Sequence, residues 1–208
     1  IGTAHIENFG TREAIAEEKT TLLRRARRFG VGPGAAELPP LEPRLDEAVA
    51  AVLPGAHNQS NAAVAFAVAS RFGVTSDEAA DAICAGFALP GGRWHRTVAD
   101  GVTYIDDTYN ANPDSMRAAL DTFVTLPTDA RHIAILGDMF ELGEKSAEFH
   151  RQVFDHARSL GLDLIVAVGA TSSGCDADIA FPDTAALKAN MDKLALRQGD
   201  SVLLKASH

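Results

Sequence analysis

Polar side chains crowd at four places where their spacing suits chemistry. The densest is Ile105-Asp106-Asp107-Thr108-Tyr109-Asn110-Ala111-Asn112-Pro113. It follows an apolar stretch that reads as a strand, and open α/β sheets bind ligands at the carboxyl ends of their strands. Turn chemistry accounts for Asn112-Pro113 and helix capping for Ser115. Neither accounts for Asp106, Asp107 and Asn110 together, so this stretch reads as functional, with Gly92-Arg93 just upstream. The second place is Gly137-Asp138-Met139, again at a strand end, with His150 in the helix that follows. Nearby Gly143-Glu144-Lys145-Ser146 resembles the end of a P-loop, but GxxxxGK[ST] demands another glycine spacing and has no intruding glutamate.

The third place is His57-Asn58-Gln59-Ser60-Asn61. Asn58 and Asn61 lie three apart at a helix start, so both amides face one way. An amide carries a donor and an acceptor together, which suits the edge of a purine. N-capping by Asn58 plus one core-edge amide is the plainer alternative. The fourth place pairs His5, just before a turn, with Lys19 on the helix that follows. Taken alone, these two read as surface residues.

The elements that must carry these residues follow from periodicity. A helix is expected over Thr11–Arg28, with Thr11 as cap and Arg24, Arg25, Arg27 and Arg28 in the last turn. Gly30 through Pro43 reads as a connector. Asn58–Phe72 is apolar on every side between Ala62 and Ala69, which implies a buried helix ended by Gly73. Ser76 caps a third helix ending near Gly86, and Leu89-Pro90-Gly91-Gly92 marks a domain boundary. Trp94–Ala99 and Val102–Tyr109 read as strands around an Asp100-Gly101 hairpin turn. A helix over Ser115–Leu126 follows. Strands His132–Leu136, Leu164–Val168 and Ser201–Lys205 then alternate with helices Ser146–Leu160 and Thr184–Arg197. Such alternation gives a parallel sheet with right-handed crossovers. Gly137-Asp138-Met139, Gly169-Ala170-Thr171 and Ala206-Ser207 fall at its carboxyl edge.

Composition narrows the function classes. With 46% hydrophobic and 23% charged residues the chain is globular rather than disordered. Its 19 basic and 28 acidic residues leave a net charge of −9, which argues against nucleic acid or an anionic membrane as main partner. Cys84 and Cys175 have no metal-ligand spacing and suit reduced thiols in a cytoplasmic protein. No apolar run approaches the ~20 residues needed to span a bilayer. The opening Ile1-Gly2-Thr3-Ala4 has no initiator Met or signal peptide, so the chain of 208 residues reads as a piece of something longer.

Taken jointly, the motifs resemble the Mur ligases, ATP-dependent amide-forming enzymes of peptidoglycan synthesis. AHIENFG…AEEK, GAHNQSNAA, GGRWH, IDDTYNANPDSM and ILGDMFELGEKS occur in that family's order. The resemblance covers Ile1–Lys19 and about Pro54–His208, and is strongest to the members that add D-alanyl-D-alanine. It implies an α/β fold: residues 1–90 as the remnant of a central ATPase domain, and residues 91–208 as a Rossmann-like C-terminal domain with a mostly parallel sheet.

The resemblance also implies roles. Lys19 matches a lysine carbamylated by CO₂, and His5 a ligand of Mg²⁺; a carbamate supplies the hard oxygen donors that Mg²⁺ takes. Asn58 and Asn61 match residues that contact adenine. Arg93 and Asp107 match residues that reach the phosphates and ribose of ATP. Tyr109, Asn110 and Asn112 fall in a loop facing the reaction centre, with Asn110 and Asn112 assigned to catalysis. Tyr109, Asp138 and Ser207 are assigned to substrate. The expected substrates are a UDP-N-acetylmuramoyl-tripeptide and D-Ala-D-Ala, and a monomer is expected. Where the family carries KGS, this chain has Lys205-Ala206-Ser207. The family's phosphate-binding loop is absent between Ile1 and His208, and the stretch from Lys19 to His57 is short. The alternatives are another Mur-type ligase, a folylpolyglutamate synthase-like enzyme, or an inactive binding module on the same fold.

Overall fold

The computed structural model describes residues 6–26, 40–87 and 90–207. One compact unit lies within Phe9–Ala88, and the other takes in Leu89–His208 together with the described residues Ile6–Asn8. The Gly30–Gly34 string and His5 lie outside the described residues.

The first unit is helical. The single turn α1 (Ile6–Phe9), most of which belongs to the second unit, precedes the first unit's opening helix, α2 (Arg12–Arg25). Thr11 caps it as expected, its Oγ1 accepting the Ala14 N–H at 3.1 Å. Arg27 and Arg28 fall outside the described residues. Between the expected connector and the helix expected from Asn58, where no element was foreseen, lies α3 (Pro43–Val52). Pro43 starts it, because proline suits the first helical position, where its missing N–H would be unsatisfied in any case. Leu45, Ala48 and Val49 then recur on one face and pack with Ala80 of α5 (Ser76–Cys84). Arg44 bridges to Asp77 at 3.0 Å and to Asp81. Thr75, not Ser76, caps α5, in a capping box with Glu78.

Burial corrects the reading of the apolar helix α4 (Ala56–Ala69). None of its residues is fully buried. Only one side, carrying Ala62 and Phe66, packs against the α3–α5 core, while Val68 is 38% exposed and Phe72 just beyond is 77% exposed. Composition alone implies burial; here nothing among the described residues covers the other face.

The second unit is a six-stranded sheet, β1 (His95–Ala99), β2 (Val102–Asp106), β3 (His132–Gly137), β4 (Leu164–Val168), β5 (Ile179–Phe181) and β6 (Ser201–Lys205), in the order β1-β2-β6-β3-β4-β5. Only the β1–β2 pair is antiparallel. Its turn uses Asp100 at φ +52° and Gly101 at φ +75°, the backbone a two-residue hairpin loop requires. Helices α6 (Pro113–Phe123), α7 (Ser146–Ser159) and α8 (Thr184–Ala189) connect the parallel strands. Phe123, Phe154, Leu120, Met116 and Ile165 fill one core, and Ile133, Val166, Leu194 and Val202 the other. Each large side chain so buried contributes about 1.5–3 kcal/mol.

Several bounds differ from expectation for local reasons. β2 stops at Asp106 rather than Tyr109, because Asp106 Oδ1 turns the chain by accepting the Thr108 N–H and hydroxyl at 3.1 and 2.6 Å. Trp94 has φ +52°, so β1 begins one residue later. α6 starts two residues early because Asn112, not Ser115, is its N-cap. α8 ends at Ala189, where Asn190 Nδ2 bonds back to the Ala186 carbonyl and a tight turn over Met191–Leu194 follows. β5 was not foreseen.

Candidate functional site at the carboxyl edge of the sheet

Strand register decides what meets at the carboxyl edge. Asp106 pairs with Leu204, Leu136 with Lys205 and Gly137 with Val168, so the loops after β2, β6, β3 and β4 leave side by side. Asp107, Lys205, Ser207, Asp138 and Gly169 are thereby neighbours although they come from four segments.

The loop after β2 is bonded from every side. Asp107 continues the sheet for one more bond, its N–H donating to Leu204 O at 2.9 Å. Its Oδ1 accepts the Trp94 N–H at 3.2 Å, and its Oδ2 lies 2.6 Å from the Lys205 ammonium. Lys205 also reaches the Asn110 and Asp107 carbonyls at 3.1 and 3.4 Å, with its side chain 4% exposed. Tyr109 N–H donates to Gly92 O at 2.8 Å. Gly92 is buried at φ +72°, and an added Cβ would stand 2.9 Å from Tyr109 N, so glycine is required there on two counts.

Sequence reasoning passed over Lys205. Its signal is a lysine closing an otherwise apolar strand at the edge where ligands gather.

Ser207 closes the loop from the other side. Its hydroxyl proton is shared between Asn110 Oδ1 at 3.2 Å and Ala111 O at 3.1 Å, while its oxygen accepts the Phe140 N–H at 3.1 Å. Asn110 Oδ1 also accepts the Ala111 N–H, and Asn112 Oδ1 accepts the Ser115 N–H in a capping box. The amide oxygen of Asn112 is thus engaged by its own helix. Tyr109 and Asn110 remain exposed at the loop's crest, and the Arg93 guanidinium stacks 3.8 Å over the Tyr109 ring.

Asp138, after β3, turns toward the protein. Its Oδ1 accepts the Ser172 N–H at 2.7 Å and the Thr171 N–H at 3.2 Å, tying the β3 loop to the β4 loop. Gly169 leaves the room, since an added Cβ would meet the carboxylate at 2.4 Å. Burial pushes this carboxyl up, but the Ser172 and Thr171 donors outweigh it and hold it below the ordinary carboxylate range. Behind it, fully buried His150 accepts the Met139 N–H on Nε2 at 2.9 Å and donates from Nδ1 to Ser146 O at 2.8 Å. Both ring nitrogens are thus engaged by backbone groups, so His150 braces the loop, with Nε2 3.8 Å from Asp138 Oδ1.

Between these loops opens a cleft of about 370 Å³, lined by Thr108, Asp138, Phe140, Thr184, Lys205 and Ser207 among others. Six of the foreseen residues (Asp107, Tyr109, Asn110, Asn112, Asp138 and Ser207) sit in these loops, and Arg93, just before β1, stacks on one of them. Of the others, Lys19, Asn58 and Asn61 belong to the first unit, and His5 lies outside the described residues. Asn58 and Asn61 line an apolar groove of about 370 Å³ with Leu45, Val49 and Phe66. Asn58 is not a cap: its Nδ2 donates to Pro54 O at 2.9 Å from inside α4, whose N-cap is Gly55. The groove has the apolar walls and amide edge that suit a flat heterocycle. Lys19 is exposed on α2. Among the described residues no three carboxylate, imidazole or thiol side chains converge as a metal set. His5, one of the two residues assigned to Mg²⁺, lies outside the described residues, and the other, Lys19, stands on α2.

Comparison with known proteins fits this geometry. The sequence profile described as "Mur ligase, glutamate ligase domain" matches residues 92–208. The UDP-N-acetylmuramoyl-tripeptide–D-alanyl-D-alanine ligase of Mycobacterium leprae is 30% identical over 286 aligned positions, covering 100% of this chain and 55% of the relative. That span exceeds the 208 residues here, so the relative carries residues inside it for which this chain has none. The Escherichia coli enzyme of the same name is 34% identical over 74% of this chain and 35% of its own length. The crystal structure of MurF from Acinetobacter baumannii superposes with a TM-score of 0.72 at 26% identity, over 100% of this chain and 55% of that one. The MurF ligase of Thermotoga maritima in complex with ADP gives a TM-score of 0.77 at 22% identity, over 99% and 56%, which speaks to the fold. The chain spans about half the length of the M. leprae relative. With its mostly parallel sheet and the profile matching more than half its residues, this chain belongs to the Mur ligase family.

Proposed function

We propose that the chain is part of an ATP-dependent amide ligase that joins D-alanyl-D-alanine to a UDP-N-acetylmuramoyl-tripeptide in the cytoplasm, acting as a monomer. One observation carries the reading: the loop Asp107–Asn112, bonded by Lys205, Ser207 and Gly92, holds Tyr109 and Asn110 exposed beside a cleft at the carboxyl edge. The names of the M. leprae and E. coli relatives supply the substrates.

In such a reaction a tripeptide carboxylate oxygen attacks the γ-phosphorus of ATP, ADP leaves, and an acyl phosphate forms. The amine of D-Ala-D-Ala then attacks the acyl carbon, the C–O bond to phosphate breaks, and the amine loses a proton. Positioning and electrostatics set the rate of phosphoryl transfer. Asn58 and Asn61 would read the adenine edge. Asp107 is 21% exposed, and its carboxylate keeps lone pairs beyond Lys205 and Trp94 for a ribose hydroxyl. Arg93 would meet phosphate, its guanidinium held in place by the Tyr109 ring. Tyr109, Asn110 and the cleft would orient the incoming dipeptide, while Asn112, Asp138 and Ser207 contribute by holding the loops that form it. Mg²⁺, which Lys19 as its carbamate and His5 would hold, would offset charge on the phosphoryl oxygens.

The test is phosphate release by the complete enzyme. Release that requires ATP, the UDP-linked tripeptide and D-Ala-D-Ala together supports the reading. ATP turnover indifferent to both acceptor and dipeptide would refute it.

A further inference from the structure

We infer that Lys205 is a positioning residue: it fixes the Asp107–Asn110 loop in the geometry that presents Tyr109 and Asn110, without itself touching substrate. The consequence for turnover rests on the ligase reading above; the structural claim does not.

Lys205 ends β6 near the middle of the sheet, after the apolar run Val202-Leu203-Leu204. A buried ammonium is costly unless paired, and an apolar residue of similar size often serves stability as well or better. Stability alone therefore gives little reason for a lysine here. What distinguishes the site is where its bonds go. An ammonium has three protons. They face Asp107 Oδ2 at 2.6 Å, Asn110 O at 3.1 Å and Asp107 O at 3.4 Å, all on one loop and none on a neighbouring strand. That loop is where the polar side chains cluster, and its crest residue Tyr109 is 57% exposed. Lys205 contributes to the cleft wall, but its ammonium protons all face the loop and its side chain is 4% exposed. Its charge is spent on the shape of the loop, as preorganised sites require of the residues behind them.

Two measurements test this. In the 208-residue chain, Lys205→Met should speed amide hydrogen exchange at Tyr109 and Ala111 about tenfold while Ile165 and Val166 on β4 keep the wild-type rate. Lys205→Arg should recover part of the protection. Unchanged loop exchange, or an equal rise in the loop and β4, overturns the inference. If Lys205→Met does not fold, the double variant Lys205→Met, Asp107→Leu removes both charges together, and the same amides decide in the same way. In the complete enzyme, Lys205→Met should lower kcat about tenfold with KM for ATP within about twofold, and Lys205→Arg should recover part of kcat. A raised KM at unchanged kcat would overturn it. A wild-type enzyme with no ligase activity would instead refute the ligase reading, and the exchange data would still decide the role of Lys205.

Discussion

The Cβ of Ala206 occupies the space that a side chain on Gly137 would need: a Cβ added to Gly137 would stand 2.5 Å from it. Ala206 is where the Mur ligases resembled by sequence carry glycine, and β3 meets it with a glycine of its own. Gly137→Ala is expected to cost about 1–3 kcal/mol through overpacking. Ala206→Gly should be nearly neutral, and the double variant should recover most of the loss. Denaturant unfolding of the four proteins in a double-mutant cycle reads the coupling. Additive effects would mean that the two positions are independent.

Asp138 ties the loops after β3 and β4, and its carboxyl titrates below the ordinary range: burial raises it, and the Ser172 and Thr171 donors outweigh that. A group whose folded pKa is depressed contributes its stability above the unfolded value. That contribution fades as pH falls from the ordinary carboxylate range toward the lowered folded value. Asp138→Asn should therefore cost about 1–2 kcal/mol at pH 7, for lost hydrogen bonds to a charged group. It should also flatten the acid limb of stability between about pH 5 and 3, which is where a carboxylate titrates in an unfolded chain. Thermal unfolding across that range checks both. An unchanged acid limb would show that Asp138 is not the group responsible.

His150 accepts the Met139 N–H inside a fully buried site. His150→Leu leaves that donor and the Ser146 carbonyl without the ring, a loss of about 1–3 kcal/mol. Urea unfolding should show the lower midpoint, and wild-type stability in the variant would remove His150 from this role.

The 208-residue chain by itself should make no product. No GxxxxGK[ST] string occurs in it, and the near miss at Gly143-Glu144-Lys145 forms a single tight turn leading into α7. Without a phosphate cradle, the electrostatic stabilisation on which phosphoryl transfer depends is lost. Phosphate release by the purified chain, dependent on both the UDP-linked tripeptide and D-Ala-D-Ala, would contradict this.

The parallel sheet was legible because apolar strands such as His132–Leu136 and Leu164–Val168 alternate with helices of clear periodicity. β5 was not, since three residues with one buried side chain leave no pattern. α3 was hidden by Pro43, which breaks a helix in most positions but starts one here. α4 misled because apolarity on every side states what a helix prefers, not whether a neighbour covers it. At the site, Asp107, Tyr109 and Asn110 stood out as a local cluster. Lys205 did not, because its partner Asp107 lies 98 residues away and only the β2–β6 pairing brings them together. Asp138 stood out in type but not in direction: the backbone donors of Thr171 and Ser172 that claim it belong to a distant loop.

The identity of the amine decides which ligase this is. The complete enzyme, given ATP and a UDP-N-acetylmuramoyl-tripeptide, should be offered D-Ala-D-Ala, diaminopimelate or glutamate in separate reactions and the products weighed by mass spectrometry. A new amide is expected only with D-Ala-D-Ala. Product formed with diaminopimelate or glutamate instead, or with none of the three, would contradict it.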